Sequence, residues 1–282
     1  MKTVNATDAL LHTIAAWRSG GERIAFIPTM GNLHDGHLAL IEEAKKMADR
    51  TVASIFVNPL QFGEGEDFET YPRTMDEDSR QLTSRGVDLL FAPPVEVMYP
   101  LAQQQQTRVE VPEVSHILDG EFRPGFFVGV ATVVCKLFNM VQPDIAIFGE
   151  KDFQQLHIIR RMVKDLQMPV EIAASPTVRE PDGLAMSSRN NYLDAQQRST
   201  APLIYRSLRQ AAGEIKRGED DFAQLERTAR STLEDAGFVV DYFTVRNAET
   251  LNPADVSEKK LVILAAARLG QTRLIDNLIL KI

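Results

Sequence analysis

Two histidines three residues apart are the first residues in this chain whose spacing suggests chemistry. His34 and His37 lie in Pro28-Thr29-Met30-Gly31-Asn32-Leu33-His34-Asp35-Gly36-His37, directly after the apolar run 23–27. At that spacing the two rings share one face of a first helical turn. The free N–H groups and dipole of a helix N-terminus attract an anion, and imidazoles beside it can donate to a nucleotide phosphate. Asp35 is expected to cap this helix, and Gly36 to clear room where a ligand approaches the backbone. The same pair also reads as a metal pair or as two ordinary surface histidines; the strand–loop–helix setting favours the phosphate.

Three further segments carry groups of the same kind. Phe148-Gly149-Glu150-Lys151-Asp152-Phe153-Gln154-Gln155 follows an apolar run and opens a helical pattern. It is not a P-loop, but it sets a glycine and a lysine at a helix entrance, and Asp152 with Gln155 also reads as a capping box. Asn58-Pro59-Leu60-Gln61-Phe62 offers amides that can bond a small substrate, or is simply a proline turn. The acidic stretch 63–67 behind it reads as a flexible loop and a candidate lid. Met186-Ser187-Ser188-Arg189 joins two hydroxyls to a guanidinium able to fork onto phosphate oxygens. Cys135 falls on the apolar face of a helical pattern and reads as core. His12, His116 and His157 have no comparable setting and read as structural or surface.

The elements that must position these groups follow from the apolar periodicity. Runs at 23–27, 51–57, 87–91 and 145–148 read as buried strands separated by helical patterns, with a capping box expected at Thr74 and Glu77 and an edge strand at 107–111. Near-continuous apolar strands between helices indicate a parallel sheet covered on both faces, a Rossmann-like doubly wound α/β domain over residues 1–176. Beyond 176 come two amphipathic helices, at 201–217 and 222–236, and strand patterns at 239–245, 261–267 and 273–276. These indicate a smaller α+β domain over 177–282 that carries the Met-Ser-Ser-Arg loop. The glutamines at 103–106 read as loop. In doubly wound sheets ligands bind beyond the carboxyl ends of the strands, where the first three segments leave.

Composition narrows the field. The chain has 282 residues, 44% hydrophobic and 25% charged, with 39 Asp+Glu against 31 Lys+Arg and a net charge of −8. The sequence pI is near 5.3. That balance argues against binding nucleic acid through a broad basic surface. A single cysteine excludes an intramolecular disulfide framework and a multi-cysteine zinc site. No apolar run of membrane-spanning length and no signal-peptide pattern is present, so a cytoplasmic protein is expected.

A Met-Ser-Ser-Arg loop far downstream of His-x-Gly-His resembles the pairing in class I aminoacyl-tRNA synthetases and related nucleotidyltransferases. With the two glutamine-bearing blocks added, all four in order, the chain resembles the pantoate–β-alanine ligase family over nearly its full length. The resemblance implies ATP-dependent joining of pantoate to β-alanine through a pantoyl-adenylate, with AMP and pyrophosphate released, and it implies Mg²⁺ and a homodimer. By position it places Met30, Gly31, Asn32, Leu33, His34, Asp35, Gly36 and His37 against ATP, with His37 as proton donor. Gly149, Glu150, Lys151, Asp152, Val178, Met186, Ser187, Ser188 and Arg189 would complete that site. Gln61 would hold pantoate and then β-alanine, and Gln155 would also hold pantoate. His34, His37, Lys151 and Arg189 would carry the catalysis, and the metal ligands are not specified. Where the family usually has Arg-Pro-Gly-His-Phe, this chain has Arg123-Pro124-Gly125-Phe126-Phe127.

Three other readings share part of this pattern. A nucleotidyltransferase would keep the histidines and the Ser-Ser-Arg loop but not the glutamine blocks. A tRNA ligase would need a surface that the acidic balance disfavours. A nucleotide sensor would bind ATP without turning it over. If the Ser-Ser-Arg loop and the histidines lie in different domains, catalysis is expected to need closure of one on the other.

Overall fold

The computed structural model describes residues 1–63, 65–101 and 105–282. Glu64 of the acidic stretch, and Gln103 and Gln104 of the glutamine run, lie outside the described residues. Two compact units are present: Met1–Glu150 with Gln155–Pro176, and Lys151–Gln154 with Thr177–Ile282.

The first unit runs β1 (Lys2–Val4), α1 (Thr7–Ser19), β2 (Ile24–Thr29), α2 (Asp35–Met47), β3 (Arg50–Ile55), α3 (Met75–Ser84), β4 (Leu89–Phe91), α4 (Val95–Met98), α5 (Asp119–Phe122), α6 (Phe126–Val141), β5 (Ile145–Gly149), α7 (Phe153–Asp165) and β6 (Glu171–Ser175). Its six strands are all parallel, in the order β1-β4-β3-β2-β5-β6. Apolar side chains point to both sheet faces, as a strand buried on both sides requires. Phe26, Val52 and Phe91 pack with Leu10, Ile14 and the apolar stripe of α6 on one face. Ile27, Ala53 and Leu90 pack with Leu38, Ile41 and Ala44 of α2 on the other.

The chain leaves β2 toward β3 and β4, then returns to place β5 on the opposite side of β2. The strand order therefore reverses between β2 and β5. That switch point is where a doubly wound sheet opens a crevice for ligand, and the loops after β2 and β5 both leave there.

The second unit holds α8 (Ala195–Thr200), α9 (Leu203–Lys216), α10 (Phe222–Asp235), β7 (Phe238–Asn247), β8 (Lys260–Leu269) and β9 (Thr272–Lys281). The strands form an antiparallel β7-β8-β9 sheet. Leu208, Ala212 and Ile215 of α9 and Leu233 of α10 pack on Phe243, Val245, Ile263 and Ala265 to make a separate core. The expected architecture, a doubly wound parallel sheet followed by a small α+β part, is the one observed. Among the described residues no helix is long and apolar enough to cross a membrane.

Two local expectations are corrected. Residues 107–111 form no strand; the Val109 N–H donates to the Thr132 hydroxyl of α6, so its donor is not available to a sheet. Thr74 does precede α3, but no side-chain cap forms there. Its hydroxyl donates instead to the carboxylate of Asp78, at 3.1 Å.

Candidate active site

The loop after β2 is held through its backbone amides by a carboxylate of α3. Gly31 has φ 82° and Asn32 φ 51°, a left-handed pair that turns the chain sharply toward α2. A Cβ at Gly31 would meet Asp78 Oδ2 and Ile55 Cγ2 at 3.0 Å each, so both the angle and the space call for glycine. The Asn32 N–H donates to Asp78 Oδ2 at 2.9 Å and the Leu33 N–H to Oδ1 at 2.8 Å. Asp78, on α3, is 1% exposed. It is a buried carboxylate whose acceptors are taken up by this loop and by Thr74.

The capping residue of α2 is His34, not Asp35. His34 keeps extended backbone, φ −139° and ψ 173°, and its Nδ1 accepts from the Gly36 N–H at 3.1 Å. The chain enters the helix one residue before the expected cap, which leaves Asp35 exposed in the first turn. His37 Nδ1 in turn accepts from the His34 N–H at 3.4 Å. The rings lie 4.1 Å apart between centroids. Because each Nδ1 faces a backbone donor, each neutral ring carries its proton on Nε2. Both Nε2–H groups belong to a loop that opens a helix N-terminus, a setting that favours an anionic phosphate.

Gln61 lies in a short 3-10 turn, Pro59–Gln61, that follows β3. Its amide orientation is fixed by its neighbours. Asn58, fully buried, accepts on Oδ1 from the Leu60 N–H at 3.2 Å and from the Tyr99 hydroxyl at 2.9 Å. Its Nδ2 donates to the Gly129 carbonyl at 3.1 Å and to Gln61 Oε1 at 2.8 Å. The two backbone partners define which end of Asn58 is oxygen, so Gln61 directs its Oε1 inward and keeps Nε2 as a donor. Burial pushes the Tyr99 hydroxyl above its ordinary pKa, which keeps it a neutral donor to this chain of bonds. The Asn58 amide is thus committed to orienting Gln61. Gln155 is half-buried in the first turn of α7.

The second unit assembles its own cluster on β9. The Asn277 side chain donates to the Lys151 carbonyl at 2.9 Å. The adjacent Asp276, 4% exposed in its side chain, takes both ends of the Arg179 guanidinium at 2.6 and 2.9 Å. Burial pushes the Asp276 carboxyl up, against the opposing pull of Arg179. Arg179 also lies 3.6 Å from the Tyr205 ring centroid. Backbone bonds join Met186 to Val178 (3.0 Å) and Glu180 to Leu184 (2.8 Å). Neighbouring residues of one strand therefore hold both the lysine segment and the base of the Met-Ser-Ser-Arg loop. In that loop Ser187 accepts from the Arg189 N–H at 3.3 Å, and a 3-10 turn carries Ser188–Tyr192. Lys151 Nζ lies 3.4 Å from Asp152.

Sequence reading missed the residues that hold the site. Asp78, Tyr99, Asp276 and Asn277 lie far along the chain from the motifs that they brace. For Tyr99, Asp276 and Asn277 the sequence signal is polarity inside or beside apolar runs, as in Leu274-Ile275-Asp276-Asn277-Leu278-Ile279, whereas Asp78 lies in a polar run and carries none.

A family model described as pantoate-beta-alanine ligase matches residues 2–279. The chain is 57% identical over 282 residues to a pantothenate synthetase of Pseudomonas entomophila (strain L48), covering 100% of this chain and 98% of that protein. It is 57% identical over 278 residues to the pantothenate synthetase of Pseudomonas aeruginosa (strain UCBPP-PA14), covering 99% and 98%. Among solved structures, pantothenate synthetase from Thermus thermophilus superposes with TM-score 0.92 at 47% identity, covering 99% of both chains. Pantoate-beta-alanine ligase from Francisella tularensis, complexed with β,γ-ATP and β-alanine, gives TM-score 0.81 at 34% identity, covering 99% and 97%.

Proposed function

The chain belongs to the pantoate–β-alanine ligase family, and from that premise we propose how its residues carry out the ligase reaction. The enzyme joins (R)-pantoate to β-alanine at the expense of ATP, giving pantothenate, AMP and pyrophosphate through a pantoyl-adenylate. The observation that carries the residue assignment is the paired imidazoles, each with Nδ1 held by a backbone N–H, at the switch point of the sheet.

Met30 through His37, Gly149 through Asp152, Val178 and Met186 through Arg189 bind ATP in this reading. Gln61 and Gln155 hold pantoate, and Gln61 later holds β-alanine. The Gln61 Nε2–H suits an acceptor oxygen on pantoate. In the first step a pantoate carboxylate oxygen attacks the α-phosphorus, and the bond to the pyrophosphate oxygen breaks. His34 and His37 donate from Nε2 to the phosphates, with His37 as proton donor. Lys151 and Arg189 stabilise the charge that grows on the leaving pyrophosphate. In the second step the neutral amine of β-alanine attacks the acyl carbon, AMP leaves, and the amine loses its proton.

Two anions must meet in a protein of net charge −8. A unit-charge pair about 4 Å apart at an effective dielectric near 20 is worth about 4 kcal/mol. Diffuse repulsion from surface carboxylates is screened beyond roughly 10 Å in salt. A few local cations therefore outweigh the global field.

Mg²⁺ enters this scheme with ATP, as part of the substrate. Among the described residues no group of three or more His, Cys, Asp or Glu side chains is assembled to hold a metal. Mg²⁺ on a nucleotide characteristically uses the phosphates, several waters and one or two carboxylates. A homodimer and a cytoplasmic location are proposed on the family resemblance, and size-exclusion chromatography with light scattering tests the first.

Product stoichiometry tests the whole assignment. Pantothenate, AMP and pyrophosphate should appear in equal amounts, and only with both pantoate and β-alanine present. ADP in place of AMP, or turnover with an α-amino acid in place of pantoate, would reject it.

A further inference from the structure

We infer that Arg123, stacked on Phe126, is a positioning residue for the pantoate site: it latches the segment after Gln61 and fixes the backbone that carries the Gln61 amide. The inference rests on the proposed role of Gln61. Gly125, at φ 83°, turns the chain so that the Phe126 N–H returns to the Arg123 carbonyl at 3.1 Å. That tight turn brings the guanidinium over the Phe126 ring, 3.7 Å from its centroid. With one face covered, the planar fork is left its edges. Nε and Nη2 donate to the Glu66 carboxylate at 2.8 and 2.6 Å, and Nη2 also donates to the Gln61 carbonyl at 3.0 Å.

An exposed ion pair would contribute little, but this one is different in kind. The Arg123 side chain is only 13% exposed, and it joins three partners from two stretches of chain more than fifty residues apart. Its contact with Gln61 is to the main chain, while the Gln61 amide is oriented from the other side by Asn58. Side chain and backbone of the same glutamine are thus fixed independently. Beyond it, Phe62 packs edge-on against Phe68 and Tyr71, at 5.3 and 5.8 Å. The Phe126 phenyl ring gives the guanidinium a flat, apolar face at every pH, so the stack does not depend on the protonation of its partner.

The test uses the full chain with Arg123→Lys, Phe126→Ala and Phe126→Tyr, reading steady-state constants, thermal midpoint and amide exchange across residues 60–68. Lysine keeps the charge but cannot fork, so the KM for pantoate should rise about tenfold, the size of one lost charge-assisted hydrogen bond. The KM for ATP should stay within about twofold, and amide exchange across 60–68 should quicken. Phe126→Ala should shift both readouts in the same direction, and Phe126→Tyr, which keeps the ring face, should restore them. An unchanged pantoate KM and unchanged exchange in Arg123→Lys would overturn the latch. So would a parallel loss in both KM values, kcat and thermal midpoint, the mark of a merely structural role. A wild-type chain that consumes no pantoate would instead reject the ligase reading, and the amide-exchange arm would still decide whether the latch exists.

Discussion

The residues with the largest consequences are not those with the most suggestive spacing. Asp78 touches no expected ligand, yet both its oxygens hold the loop that carries the histidines. Asp78→Ala would take this acceptor from the buried Leu33 amide, at about 1–3 kcal/mol, and from the half-buried Asn32 amide. The urea midpoint should fall accordingly, and the KM for ATP should rise as the loop loosens. Gln61→Glu tests the orientation deduced from Asn58. The isosteric change sets a second oxygen where a donor stood and repels the pantoate carboxylate. The KM for pantoate should rise at least about tenfold, with little change for ATP; an unaffected KM would show that the donor end does not face substrate. His157 gives a pH signature. Burial, with Arg161 and Arg160 nearby, holds its pKa below the ordinary value of 6.5. The unfolded chain therefore binds this proton at a pH where the folded chain does not. Stability should fall as pH drops through and below 6.5, with no contribution above it. His157→Gln should flatten that part of a stability-against-pH curve.

At the scale of elements, long apolar runs were legible and short polar-flanked ones were not. Strands β2, β3 and β5 and helix α6 follow from uninterrupted apolar or helical periodicity. Strand β6, Glu171-Ile172-Ala173-Ala174-Ser175, is an edge strand of small, half-buried residues, and nothing in that composition separates it from a loop. The alternation at 107–111 points the other way: a strand-like pattern that finds a helix hydroxyl rather than a neighbouring strand. The motifs located the loops after β2, β3 and β5, but not their braces, because a brace is defined by contacts across the fold. Gly129 shows this within α6. A Cβ there would clash with the Leu60 carbonyl, so glycine lets α6 press against the turn that carries Gln61. Gly129→Ala should force helix and turn apart, lowering the thermal midpoint and raising the KM for pantoate together. A variant with wild-type values for both would mean that the turn has slack to absorb a methyl group.

In the molecule as a whole, the proposed division of labour completes activation before the amine is needed. In that proposal Gln61 and Gln155 select pantoate, the imidazole pair, Lys151 and Arg189 act on ATP, and β-alanine acts only on the adenylate. The decisive measurement is exchange of labelled pyrophosphate into ATP with pantoate present and β-alanine absent. Exchange should depend on pantoate and disappear when an α-amino acid replaces it. It should also fall steeply in Lys151→Ala and Arg189→Ala, by more than pantoate binding weakens. Exchange that required β-alanine, or that proceeded equally well without pantoate, would contradict this order of events.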